Sequence, residues 1–418
     1  MNPQFQPLFP ALRACLFSSA MVFACMAPAV PALAGTSIIS IGAYKTFNSD
    51  IDMPGGSLHI AIDGDFAFAQ SEDDVISISK KALFEERHGE HVYRIVFEHG
   101  QGGMARTYTI DGKPHAWDAE GKRWLGTVIP RLLRETGYES EARSKRIYAA
   151  GGADALLTEI ELIQSGFSRR KYIVELAGFG QLDEKQLVRV LAAIDKIESD
   201  FDRRNAYVAL IERQSLGNTA QAGLLQGAAA IHSDFELRTV LVALAPKLGS
   251  DDAVGQGWLA AMHQIHSDFE ARTAVVALAD ADGKTASRVD LALQSTQNIN
   301  SAFERRTALT QISRNMAHPS DAQVAAYARS ASRIDSDFER RTAIVALADK
   351  ATLGKNGCLE LLGAFDGMHS DFEIRTALVE VARRLPKDEE VIARYRSIAR
   401  KLGDFERIQA EKALDHLG

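Results

Sequence analysis

The stretch Ser233-Asp234-Phe235-Glu236-Leu237-Arg238-Thr239 decides the architecture, because close copies of it return every 33 to 35 residues. Marked by their aromatic residue, the copies fall at Phe167, Phe201, Phe235, Phe269, Phe303, Phe338, Phe372 and Phe405. A period near 34 held over eight units specifies a stacked repeat, in which each unit buries its apolar face only against its neighbours. That also explains how 418 residues avoid needing one oversized core.

Each copy opens as Ser-x-x-Glu, which reads as a helix start. The Ser hydroxyl accepts from the third helical N–H, while the Glu is expected to reach back to the Ser N–H. The pattern is complete at Ser233/Glu236, Ser267/Glu270, Ser301/Glu304, Ser336/Glu339 and Ser370/Glu373. Ser199/Asp202 and Gly403/Glu406 are weaker forms, and Ser165/Ser168 lacks the acid. Loss of one such cap costs about 1 kcal/mol. Asp at the first helical position, as in Asp234 and Asp268, suits the helix N-terminus and stands four residues before an Arg.

That Arg recurs at Arg170, Arg204, Arg238, Arg272, Arg306, Arg341 and Arg375. An inter-repeat salt-bridge ladder is the first expectation for it. The column from Arg204 to Arg375 is also the candidate partner- or anion-binding edge, since guanidinium forks suit carboxylate and phosphate. After the motif comes an almost continuous apolar run such as Val240 to Ala245, which should be enclosed by neighbouring helices. Two residues before each Ser position stand Ile163, Ile197, Ile231, Ile265, Ile299, Ile334 and Met368. The motif Phe and this Ile or Met are expected to form the inter-helix contact together. Truncating a buried Phe would then cost about 3–5 kcal/mol.

Residues 1–34 differ in kind. They hold one charge, Arg13, then an apolar stretch from Cys15 to Ala29, then Pro31-Ala32-Leu33-Ala34 before Gly35. This is the pattern of a secretory signal cleaved after Ala34. A lipoprotein anchored at Cys25 is the alternative, and Ser18, Ser19 and Pro28 interrupt any retained membrane span. Removing the leader takes the formal charge from −7 to −8, which argues against nucleic acid as a partner. It leaves Cys358 as the single thiol, expected to be a small buried hydrophobe. Leader and repeat array together point to the periplasm of a Gram-negative cell.

Between residues 35 and 139 the periodicity changes to two. Leu58, Ile60 and Ile62 alternate with His59, Ala61 and Asp63, and a hairpin is expected through Gly64 to Phe66 and Phe68. Asp111-Gly112 marks another tight turn. The whole reads as a small antiparallel β module, with the segment holding Leu125, Val128, Ile129, Leu132 and Leu133 as its covering helix and Pro130 as a kink. Gly151-Gly152 lies in the junction with the first repeat. His88, His91 and His99 cluster near a turn without completing a metal-ligand set, and His232, His266 and His369 share a tolerant turn position. No catalytic motif stands out, so neither an enzyme nor a cofactor is expected.

The run Gly55 to Asp65, the Asp111-Gly112 hairpin and the capped Phe repeats together resemble the extracytoplasmic C-terminal regions of proteobacterial membrane metallopeptidases related to penicillin sensors. Stand-alone exported relatives of these lack the peptidase, so the resemblance implies a sensing or scaffolding context and carries over no catalytic residue. The array is also similar to tetratricopeptide and HEAT-type solenoids, without the Trp, Leu-Gly and Tyr signature of the former. The expected fold is α+β and mainly α: a signal peptide at 1–34, the β module at 35–139, and an α-solenoid of about eight helical hairpins at 140–418. The expected function is a periplasmic, non-enzymatic scaffold that binds a polypeptide through the solenoid surface. The alternative is an envelope sensor of a glycan or other anion, or an unrecognised hydrolase.

Overall fold

The computed structural model describes residues 37–41, 44–53, 55–281 and 285–415; the expected leader at 1–34 lies outside them. Its N-terminal part is an antiparallel sheet and the remainder is helical. The strands are β1 (Ser37–Ile41), β2 (Tyr44–Met53), β3 (Gly56–Asp63), β4 (Phe66–Phe68), β5 (Val75–Ile78), β6 (Lys81–His88), β7 (His91–Gly100), β8 (Gly103–Ile110) and β9 (Lys113–His115). Seven of them pair in the order β1-β2-β3-β6-β7-β8-β9, and β4 with β5 forms a separate ribbon. The expected hairpin between β3 and β4 is therefore not formed. β3 already has β2 on one side and β6 on the other, so Phe66 and Phe68 pair with β5 instead. The turn at Asp111-Gly112 does join β8 to β9, with φ of 49° and 74°.

One sheet face is apolar. Leu58, Ile60, Ile62, Phe84, Ile95 and Phe97 from alternate strand positions are buried against Leu125, Val128, Ile129, Leu132 and Leu133 of α1 (Ala119–Thr136). The helix runs on through Pro130 and ends at Gly137 in the left-handed region.

The remaining helices come in pairs: α2 (Ser140–Leu162) with α3 (Gly166–Phe179), α4 (Glu184–Ile194) with α5 (Asp200–Arg213), α6 (Asn218–Ala228) with α7 (Asp234–Leu244), and α8 (Asp252–His263) with α9 (Asp268–Asp280). Four more pairs follow: α10 (Ala286–Ser295) and α11 (Ala302–Ser313), α12 (Asp321–Ser332) and α13 (Asp337–Lys350), α14 (Lys355–Gly363) and α15 (Asp371–Ala382), α16 (Glu389–Ala399) and α17 (Asp404–Lys412). The odd-numbered helices, which carry the motif, pack one on the next in a row that starts at α1. The even-numbered helices form a second row beside it. Inside α2, Gly151 and Gly152 leave helical geometry, with φ of 67° at Gly152, so the chain breaks at the Gly-Gly pair.

A single apolar spine runs between the rows. In α7 it takes Leu237, Val240, Leu241 and Leu244, the spacing of one helical face. The Ile/Met column lies in the same spine, from fully buried Ile163, Ile197 and Ile299 to 8% exposed Met368. Its expected companion does not. The motif Phe side chains are 50–56% exposed from Phe167 to Phe372, and Phe405 is 66% exposed. Helix geometry gives the reason: Phe235 precedes Leu237 by two residues, roughly 200° around the axis, and so lies opposite the buried stripe. The apolar run after the motif is likewise enclosed on one side only, since Val242 and Ala243 are half-buried.

Candidate partner-binding ladder

Each motif residue meets the neighbouring repeat in a different way. Ser233, Ser267, Ser301, Ser336 and Ser370 accept the backbone N–H of the Glu three residues on, so the first half of the expected cap is present. The return half is not. The N–H groups of His266 and Ser267 go to Asp234 Oδ2 of the preceding repeat, at 3.1 and 2.6 Å. The same bridge joins Asp200 to His232 and Ser233, Asp268 to Asn300 and Ser301, and Asp337 to His369 and Ser370. At the start of the array, Glu135 of α1 takes the N–H groups of Gln164 and Ser165, so α1 fills the place of a preceding motif helix.

With its carboxylate displaced from the cap, the motif Glu pairs across the repeat boundary. Arg204 Nε donates to Glu236 at 2.6 Å, Arg238 to Glu270 at 2.6 Å, Arg272 to Glu304 at 2.7 Å and Arg306 to Glu339 at 2.6 Å. Arg341 meets Glu373 at 2.5 Å, and Arg170 meets Asp202 at 2.8 Å. Where an Asp stands four residues before the Arg, at Asp200, Asp234, Asp268, Asp337 and Asp371, it is taken by the backbone bridge, so the expected i,i+4 pair does not form. Arg375 ends the column with no ion pair, its Nε buried and without a hydrogen-bond partner among the described residues.

The candidate residues Arg204, Arg238, Arg272, Arg306, Arg341 and Arg375 thus lie together along one row, and each also covers its own motif ring. Their guanidinium carbons stand 4.6–4.9 Å from the ring centroids of Phe201, Phe235, Phe269, Phe303, Phe338 and Phe372. Such stacking contributes about 0.5–1 kcal/mol per pair at exposed sites. Thr239, one turn beyond Phe235, returns its hydroxyl to the Phe235 carbonyl, as do its equivalents Thr273, Thr307, Thr342 and Thr376 in their own repeats. Half-buried Val242 continues the same helix face. The motif helices from α7 to α15 therefore each present an aromatic ring, a stacked guanidinium, a threonine and, in all but α11, a valine.

The sequence reading missed a second arginine column one residue earlier in the motif. Arg203 and Arg340 reach inward to carbonyls that end helices: Nε to Ile197 and Ile334, Nη1 to Ala230 and Asp366. Arg169 bonds the carbonyls of Ile163 and Lys196 in the same way. Arg305 occupies this position with only 4% exposure and no carbonyl partner among the described residues, and burial pushes its pKa down, with the charge of Arg333 acting in the same direction. The signal for this column was the doubled Arg in Arg169-Arg170, Arg203-Arg204, Arg305-Arg306 and Arg340-Arg341.

Of the histidines, only His88 and His91 are set opposite each other among the described residues, across β6 and β7. His232, His266 and His369 stand exposed at equivalent turns of separate repeats, and His91 bonds Asp111 at 3.0 Å on the sheet. Among the described residues no three His, Cys, Asp or Glu side chains are grouped as a metal ion would require, and no helix is long and apolar enough to cross a membrane. No protein-family model, curated protein or solved structure matches the chain.

Proposed function

We propose that the protein is a non-enzymatic interaction scaffold, an α-solenoid that binds a polypeptide partner along the motif row after export to the periplasm. The observation that carries this is the row of motif Phe side chains, half-exposed at successive repeats in one register. Burying one such ring would contribute to folding, yet the sequence places it outward eight times. A periodic apolar surface of this extent on a soluble array is what a partner-binding face requires. The Arg–Glu ladder supports the same reading, because it fixes each ring relative to the next and so preorganises the surface.

The test is site-specific photo-crosslinking in living cells. A benzophenone amino acid replacing Phe235 or Phe303 should give a reproducible polypeptide adduct. The same probe at Val188, which is 55% exposed on α4 in the other row, should not. Adducts equally abundant at Val188, or none at either ladder position, would overturn the proposal.

A further inference from the structure

Each motif Phe from Phe167 to Phe372 has a guanidinium over it, and the Arg column from Arg204 to Arg341 pairs through Nε with a Glu of the next repeat. Both partners are largely covered, the Arg side chains 18–22% exposed and the Glu side chains 14–15%. The terminal nitrogens of Arg238, Arg272, Arg306 and Arg341 make no hydrogen bond among the described residues, and Arg375 has no acid partner among them. The row therefore offers unpaired guanidinium donors, which complement a chain carrying carboxylates and unsatisfied carbonyls.

The spacing narrows the choice further. Helices packed in one row lie about 8–10 Å apart. A polyproline II segment advances roughly 9.3 Å per three-residue turn, with every backbone carbonyl free. An extended β-strand repeats its side-chain direction every second residue, about 6.8 Å, and falls out of step with the rings after one repeat. Building on the scaffold reading above, we propose that the ladder binds an extended, proline-rich acidic peptide in polyproline II conformation. Every third residue rests on a motif Phe, and the carboxylates and carbonyls beside it take the terminal nitrogens of the Arg column. Aromatic grooves recognise this conformation because it carries little ordering cost.

Fluorescence anisotropy with the purified protein and labelled synthetic peptides tests this directly. Repeats of Pro-Pro-Glu should bind at least tenfold more tightly than repeats of Pro-Pro-Lys, which keep the conformation and invert the charge. They should also bind at least tenfold more tightly than repeats of Gly-Ser-Glu, which keep the charge and lose the conformation. Combining Phe235→Ser, Phe269→Ser and Phe303→Ser should weaken Pro-Pro-Glu binding by tenfold or more while far-UV circular dichroism at the assay temperature remains that of the folded protein. Equal binding of the lysine or glycine-serine peptide, unaltered binding by the triple variant, or no binding of any peptide would each overturn the inference. A photo-crosslinked partner lacking such a segment would overturn it and leave the scaffold reading standing, whereas absence of both adduct and peptide binding would overturn the two together.

Discussion

Asp234 holds Ser267: its Oδ2 accepts the backbone N–H of Ser267 at 2.6 Å, one repeat further along the row. The bridge fails where the first helical position loses its carboxylate. In the repeat of Phe303 that position is Ala302, and the N–H groups of Asp335 and Ser336 find no acceptor among the described residues. Ala302→Asp should restore the contact and stabilise the α11–α13 junction by about 1 kcal/mol, the net value of a typical intramolecular hydrogen bond. Asp335 lies beside the new carboxylate, so the gain should be larger with Asp335→Asn present. Melting temperature and amide exchange at Ser336 report the effect, and faster or unchanged exchange in both backgrounds would contradict it.

The two recurrent apolar columns should respond very differently to truncation. Ile231 is 1% exposed in the spine, and Ile231→Ala should cost about 2–5 kcal/mol through lost burial and the cavity left behind. Phe235 is 52% exposed, and Phe235→Ala removes one ring beneath Arg238, a loss of about 1 kcal/mol or less. Urea unfolding of the two variants provides the comparison. Comparable losses would mean that the ring contributes to the core after all.

Much of this was legible before any coordinates. The period, the start of each motif helix, the burial of the Ile column and the Arg–acid ladder all follow from residue type and spacing. The direction of the Phe ring was legible too, because the stripe through Leu237, Val240, Leu241 and Leu244 puts Phe235 on the far face; aromatic identity argued the other way, and helix geometry wins. The partner of each Ser N–H was not legible. A periodic sequence offers chemically similar acceptors in the same repeat and in the preceding one, and only the packing distance between helices chooses between Glu236 and Asp200 for Ser233. The pairing of β4 with β5 was hidden for a related reason, since strand partners depend on which edges other strands have already filled.

Cys358 should be chemically silent in the folded protein. It is 2% exposed, and burial pushes its thiol pKa up to about 11, with the charge of Asp321 adding to the effect. Since the thiolate is the reactive form, iodoacetamide at pH 8 should label the native protein far more slowly than the urea-unfolded chain. Labelling of the native protein at the rate of an unstructured cysteine peptide would show that this part of α14 opens readily.

Acid should loosen the join between the sheet and the repeats before it melts the repeats themselves. Glu159 of α2 receives Arg134 of α1 at 2.5 Å and Arg143 at 2.6 Å, and Arg143 also holds Glu72, in the turn between β4 and β5, at 2.8 Å. Burial of Glu159 opposes its ionisation, but the hydrogen bonds from Arg134 and Arg143 outweigh it and lower the carboxyl pKa. A group with a depressed folded-state pKa stabilises fully above its unfolded value of about 4.3, and that contribution disappears as pH falls through the folded value. Glu159→Gln leaves Arg143 and Arg134 without this charge and should cost about 3 kcal/mol at pH 7, the scale for breaking a buried pair. Its deficit relative to the parent should shrink as the pH is lowered from 5 to 3, because the parent's own carboxylate is then protonated. Thermal unfolding across that range, followed by circular dichroism, measures it. A deficit that stays constant with pH would show that Glu159 acts through packing rather than charge.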